Sequence, residues 1–207
     1  MSTKDKPGGR SHLTFTEAAR RVQLIECAIE TIATLGYAQT SLAHIARRAG
    51  ISKSMITYYF ATKEELIEQV VEDTIKAAGS EIAPQIEASP TATTKLQTYL
   101  RSHLAYMATH RMQMAALIDI VLNVRTKEGQ LRYRPGSEQP QLQALEALLR
   151  KGQAEGSLRD FDPQVMALSI RGAIDAVGRF FVADPTLDGE RYAQELVTLF
   201  DRATRKE

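Results

Sequence analysis

Apolar residues return every third or fourth position along most of the chain, the period of a helix with one buried face. Val22, Ile25, Ile29, Ile32 and Leu35 form the first such stripe; Leu66, Ile67, Val70, Val71 and Ile75 form a later one. Strand-like alternation is not sustained anywhere, and no segment repeats another. The pattern predicts an all-α fold. Start and stop signals divide it. Thr14-Phe-Thr-Glu17 has the spacing of a capping box, with Leu13 placed to staple onto Ala18. Gly36 suits a left-handed cap closing that helix. A short helix then starts at Thr40 or Ser41 and covers Leu42, Ile45 and Ala46. Gly50 breaks it, and Ser52 caps a third helix that ends near Phe60. Thr62-Lys-Glu-Glu65 is a second capping box, heading a fourth helix. Longer helices are predicted over about 91–108, 111–124, 138–154, 163–182 and 188–204, with Asp162-Pro163 and Asp188 as start signals.

The gaps between these stripes set the organisation. The arm 1–14 holds Pro7, Gly8 and Gly9 and reads as flexible. The segment from Gly79 to Pro90 reads as a weak connector, and Thr126 to Pro140 as a long polar loop. The predicted units are therefore the arm, a helix-turn-helix unit at 15–78 with its motif over about 41–60, and a second helical unit at 79–207.

One stretch resists a purely structural reading. Residues 50–66 run GISKSMITYYFATKEEL, with six apolar, aromatic or hydroxyl residues in a row after a glycine turn. The run is too short to cross a membrane and too aromatic for a solvated loop. Three short helices with a tight turn between the second and third make a helix-turn-helix. Ala46 stands where the two helices cross most closely, and Gly50 stands where a positive φ is cheap only for glycine. Ile45, Ile51 and Ile56 point into the small core. On a recognition helix over 52–60, Ile56 and Phe60 share the inner face. Met55 and Tyr59 form the neighbouring row. Lys53, Ser54, Thr57 and Tyr58 look outward, a set suited to base edges, thymine methyls and phosphates in a major groove. Tyr58 and Tyr59 are also compatible with a core whose hydroxyls stay wet.

Charge sharpens this picture. The formal net charge is only +1, but residues 31–63 hold Arg47, Arg48, Lys53 and Lys63 and no carboxylate. A local basic block is the footprint of a polyanion binder, although a solvated face gives the same count. The single cysteine, Cys27, excludes an intramolecular disulfide and points to a cytoplasmic home. No apolar run reaches the length of a membrane span, and the first residues lack the apolar core of a secretory signal. With one thiol and four scattered histidines, neither a metal centre nor a cofactor is expected. There is no phosphate-binding Gly-rich loop, H-E-x-x-H or G-x-S-x-G, so nothing motivates an enzyme.

The residues Gly36, Tyr37, Thr40, Ser41, Ile45, Ala46, Ala49, Gly50, Ile51 and Ser52, followed by Tyr58, Tyr59, Phe60, Lys63, Glu64 and Leu66, form one pattern. It resembles the DNA-binding domain of the TetR family of bacterial transcriptional regulators, over roughly residues 18–78. The resemblance implies that Thr40 and Ser41 donate to phosphate. It implies that Ser52, Lys53, Met55, Thr57, Tyr58 and Tyr59 read the groove and backbone, and that Lys63 holds a phosphate. Arg20 and Arg21 would add backbone contacts. Ser54, Ile56-Thr57 and Tyr59 depart from the commonest family residues, so the operator sequence does not carry over.

The resemblance further implies a second domain that binds a small molecule and dimerises. In that half, helix 163–182 mixes small residues (Gly172, Ala173, Ala176, Gly178) with Leu168, Val177, Phe180 and Phe181. The last helix offers Leu196, Val197, Leu199 and Phe200. Gly172, Ala176, Phe180, Leu196 and Phe200 are the candidate dimer contacts; an intrachain core would account for the same faces. His103, Tyr106, Met107, Met114 and Asn123 on the middle helices, with the i, i+4 pair Arg171 and Asp175, are the candidate ligand contacts. That pair is equally compatible with an ordinary helix-face ion bridge. The reading is a homodimeric repressor that binds double-stranded DNA at a palindromic operator and is released by an unidentified small molecule. The alternative is a small-molecule binding protein whose helix-turn-helix no longer reads DNA.

Overall fold

The computed structural model describes residues 15–133, 139–184 and 186–206, so the arm 1–14, its capping box, and residues 134–138 of the polar loop lie outside it. Among the described residues the chain is nine helices and two isolated bridges. They are α1 (Phe15–Leu35), α2 (Leu42–Arg48), α3 (Lys53–Tyr59), α4 (Lys63–Glu87), α5 (Ala92–Thr109), α6 (Arg111–Asn123), α7 (Gln139–Ala154), α8 (Pro163–Ala183) and α9 (Gly189–Thr204). The predicted helices are all present. Ser41, Ser52, Thr62, Asp162 and Asp188 each cap a first turn with a side-chain oxygen. Gly36 and Gly50 take φ of +82° and +66°, as their places in the turns require.

Two apolar clusters hold the helices. The first joins Leu24, Ile25, Ala28 and Ile32 of α1 to Ile45, Ala46, Ile56 and Phe60, and to Leu66, Ile67, Val70 and Val71 of α4. Ala116, Ile120 and Val124 complete it, so α6 and the residue after it belong to the core of the N-terminal unit. The second cluster lies among α5, α7, α8 and α9, with Ile82 of α4 and Met114 of α6 at its edge.

Three local expectations need correction. The connector predicted from Gly79 is helix as far as Glu87, because α4 is anchored in the first cluster by Val70 and in the second by Ile82. One glycine costs a helix only about 1 kcal/mol, and Pro84 falls in the last turn, where few hydrogen bonds depend on it. The Thr62 box is half formed: Thr62 accepts from the Glu65 N–H, but Glu65 Oε2 accepts from the Ala61 N–H at 2.8 Å. In the first stripe, Val22 and Leu35 are exposed; the buried face runs through Leu24, Ala28 and Thr31, with Val22 on its flank and Leu35 at the helix end.

Candidate nucleic-acid interface and sensor core

The geometry of α3 follows from its two ends. Ser52 accepts the Met55 N–H at its start. At its finish Arg21 of α1 donates to the Tyr59 carbonyl at 2.5 Å and lies over the Phe60 ring, 4.1 Å from its centroid. Arg21, expected as a backbone contact for DNA, therefore pins the end of α3, and Arg20 donates to Gln23. Ile56 and Phe60 are fully buried, which fixes the helix rotation. The outer face then carries Lys53, Ser54, Met55 (47 % exposed), Thr57 and Tyr58 (69 % exposed). The Thr57 hydroxyl donates back to the Ser54 carbonyl at 2.9 Å. Tyr59 is half-buried, its ring edge-on to Tyr58 at 5.0 Å. Tyr58 donates to Glu17 of α1 at 2.9 Å, and that carboxylate raises the pKa of its phenol.

The basic block divides in two. Arg48 is paired with Glu30 at 3.0 Å, and Lys63 donates to the Tyr37 carbonyl at 2.7 Å while lying over the Tyr37 ring. Burial lowers the pKa of Lys63. Arg47 and Lys53 are exposed and have no such partner among the described residues. Ser41 and Ser52 are at helix starts; the Ser41 hydroxyl accepts from the His44 N–H, and the Ser52 hydroxyl also meets the Ser54 hydroxyl at 2.9 Å. Thr40 is buried: it is 3 % exposed, and its hydroxyl donates to the Gly36 carbonyl at 2.8 Å. The hydroxyl expected at a phosphate instead closes the turn between α1 and α2.

A contact that no local pattern announces ties this unit to α6. Asp119 accepts the Tyr37 N–H at 2.5 Å, and Asn123 donates to Asp119 at 2.6 Å. Asn123, expected among ligand contacts, is exposed at the end of α6 and works in this joint. The partner of Asp119 is far away in sequence.

The other candidate ligand residues do meet. His103, Tyr106 and Met107 on α5 face the second cluster, with Met114 of α6 buried at its edge. Tyr99 packs on His103 with ring centroids 4.1 Å apart, and the His103 ring nitrogen Nδ1 meets the Tyr99 carbonyl at 2.8 Å. Burial, aided by the Arg171 charge, lowers the His103 pKa to about 4. Arg171 and Asp175 of α8 pair at 2.5 Å. The Tyr99 hydroxyl and Arg171 Nε are buried without a well-aligned hydrogen bond among the described residues, although the two side chains lie close enough to interact with each other. Tyr99 is not among the ligand contacts that the sequence suggests.

The dimer candidates separate. Gly172 and Phe180 of α8 are exposed (Phe180 by 61 %), and Ala176 and Leu196 are half-buried. Phe200 is 7 % exposed and sits in the chain's own core. Helical spacing placed Phe200 with its neighbours on α9, but the apolar face of α9 turns toward α5.

A family model described as "Bacterial regulatory proteins, tetR family" matches residues 24–70, and one for the "Tetracyclin repressor-like, C-terminal domain" matches residues 89–203. The chain belongs to the TetR family. It is thus a transcriptional regulator with a DNA-binding helix-turn-helix, as the sequence predicts. A fatty acid metabolism regulator protein of Bacillus subtilis is 25% identical over 159 residues, 74% of this chain and 79% of that one. The transcriptional regulator FadR from Bacillus subtilis, solved in complex with stearoyl-CoA, superposes with a TM-score of 0.74 at 24% identity, over 86% of this chain and 96% of that one. AibR in complex with isovaleryl coenzyme A and operator DNA gives a TM-score of 0.74 at 19% identity, over 87% and 97%. These TetR-like folds share the N-terminal helix-turn-helix and the helical second half. Among the described residues no helix is long and apolar enough to cross a membrane.

Proposed function

We propose that the chain is a cytoplasmic homodimeric repressor that reads a palindromic operator with α3 and leaves it when a small molecule enters the second cluster. The unit at 15–78 reads and the unit at 79–207 senses and pairs. The observation that carries this is the split of α3: Ile56 and Phe60 are consumed by the core, while Lys53, Met55, Thr57 and Tyr58 face outward. Ser41, Ser52 and Lys63 contact phosphates around them, Lys63 with the protons that Tyr37 leaves free. Tyr59 buttresses Tyr58. Pairing uses the exposed apolar row Val165, Leu168, Gly172 and Phe180 on α8, beside Ala176 and with Leu196 and Leu199 on α9. A two-fold axis then fixes the half-site spacing near one helical turn or a multiple.

The effector reading rests on the buried Tyr99 hydroxyl and Arg171 Nε, which face each other without a well-aligned hydrogen bond. A ligand carbonyl or carboxylate oxygen would accept from Tyr99 and Arg171, with apolar atoms against Met107 and Met114. Acyl-CoA thioesters, bound in the FadR and AibR structures, are the first compounds to screen. Binding must favour one conformer to release DNA. Selection from a random duplex library at near-physiological salt is the test. Enrichment of a palindrome supports the reading. Recovery of unrelated sequences sinks it and leaves a ligand-binding protein with a silent reading head. On the selected site, Lys53→Ala should weaken binding to all duplexes alike, and Tyr58→Ala should lose more on the preferred one.

A further inference from the structure

Two adjoining surface cavities lie at the end of α9. The larger, of about 430 Å³, is lined among the described residues by Arg159, Arg202, Arg205 and Lys206. The smaller, of about 310 Å³, shares Arg202 and Arg205 and adds Arg101, Gln97, Gln194, Thr198 and Asp201. The wall is built from two segments. The turn after α7 is tied to the end of α9 by the Leu158–Arg205 bridge and by the Arg159 N–H donating to the Thr204 carbonyl at 2.9 Å.

The C-terminal end of a helix attracts cations, and that explains part of the set. Arg159 Nε donates to the Ala203 carbonyl at 2.7 Å, and Arg205 lies 3.9 Å from Asp201. It leaves Arg202 and Lys206, which have no partner among the described residues. Asp201 faces this set and pairs with Arg205, but among the described residues cations still outnumber carboxylates around the two cavities, so an anion between them is favoured. Position excludes the operator as that anion. α4 starts beside α3 and runs 25 residues to Glu87, about 37 Å of helix, before α5 brings Gln97 and Arg101 to this end.

We propose that this pocket binds a small molecule carrying two or more phosphate groups. Arg202 and Lys206 supply the free charge and Arg159 the fixed wall, while Gln97, Gln194 and Thr198, bonded to Asp201, Arg101 and one another, line the adjoining side. The site lies outside the Tyr99–Arg171 cluster, so it goes beyond the effector reading and stands or falls apart from it.

The probe is pyrophosphate, titrated calorimetrically into the full chain at near-physiological salt, with sulfate as a competitor. Saturable binding is expected. The double variant Arg202→Gln, Lys206→Gln should weaken it at least tenfold, Arg202→Lys should retain most of it, and Lys76→Gln on α4 should leave it unchanged. No heat of binding, or equal binding by the double variant, overturns the site. So does a double variant with altered self-association, because the cations would then pair with a second copy. An equal loss of operator affinity without pyrophosphate would assign them to DNA instead. Operator selection with the unmodified chain is scored separately, so failure here and failure of the repressor reading are distinguishable.

Discussion

The two halves of the molecule use the same helical pattern at different densities of constraint. In α1–α3 the turns are tight and α2 and α3 are only 7 residues long each, so single positions admit single solutions. Gly50 must take a positive φ, Ala46 must be small, and Ile56 and Phe60 must be buried for α3 to seat at all. In α5–α9 the helices run to 21 residues, and each carries more apolar surface than one neighbour covers. There an apolar residue can face the core or a partner, and spacing alone does not decide. Phe180 and Phe200 make the contrast concrete: they are 61 % and 7 % exposed, although both were legible as interface residues.

Replacing those two phenylalanines should give the largest difference. Phe200→Ala empties a site in the second cluster and should destabilise the protomer by about 3–5 kcal/mol in denaturant unfolding. Phe180→Ala should change protomer stability little but weaken self-association in sedimentation measurements. Comparable unfolding losses for both variants would mean that Phe180 is covered within the chain and that α8 is not the pairing face.

His103 should give the next effect. Its folded pKa is held at about 4, with burial the main cause and Arg171 adding to it, against the usual value of 6.5. Between those values the unfolded chain binds a proton that the folded chain refuses. Stability is therefore full above pH 6.5 and declines as the pH falls to about 4, by about 3 kcal/mol, then levels. Asp175 opposes the shift and is the partner that would limit it. Unfolding curves across that range should show the decline, and His103→Asn should flatten it. An equally steep decline in that variant would move its origin to the carboxylates.

The joint between the halves comes third. Asp119→Ala removes the acceptor for the Tyr37 N–H, a charge-assisted bond, and should cost about 1–3 kcal/mol. Amide exchange at Tyr37 should speed up more than at Ile56. Much of the reading head was legible in the sequence, because turns and caps are local. What escaped was non-local: Thr40 folding back on Gly36 was hidden by a plausible phosphate role, and Arg21 gripping the end of α3 by a plausible backbone contact. The joint of Asp119 and Asn123 with Tyr37 was hidden by 82 residues of separation.

The smallest effects test where the two halves meet. Gly50 and Gly79 both have open space where a Cβ would go, so neither substitution clashes. They differ in backbone. Gly50→Ala puts a side chain at a φ of +66° and should cost about 1 kcal/mol. Gly79 is in the middle of α4, where alanine removes freedom from the unfolded chain and should add about 0.5–1 kcal/mol. Thermal unfolding reads both signs in one experiment. A neutral Gly79→Ala would mean that α4 opens at this point in solution, as a connector would. A stabilising one makes α4 a single rod from Lys63 to Glu87, so that a shift in the second cluster at Ile82 is felt at the first turn beside α3. Operator affinity measured on the same variant then tells whether stiffening that rod alone changes the spacing of the two reading heads.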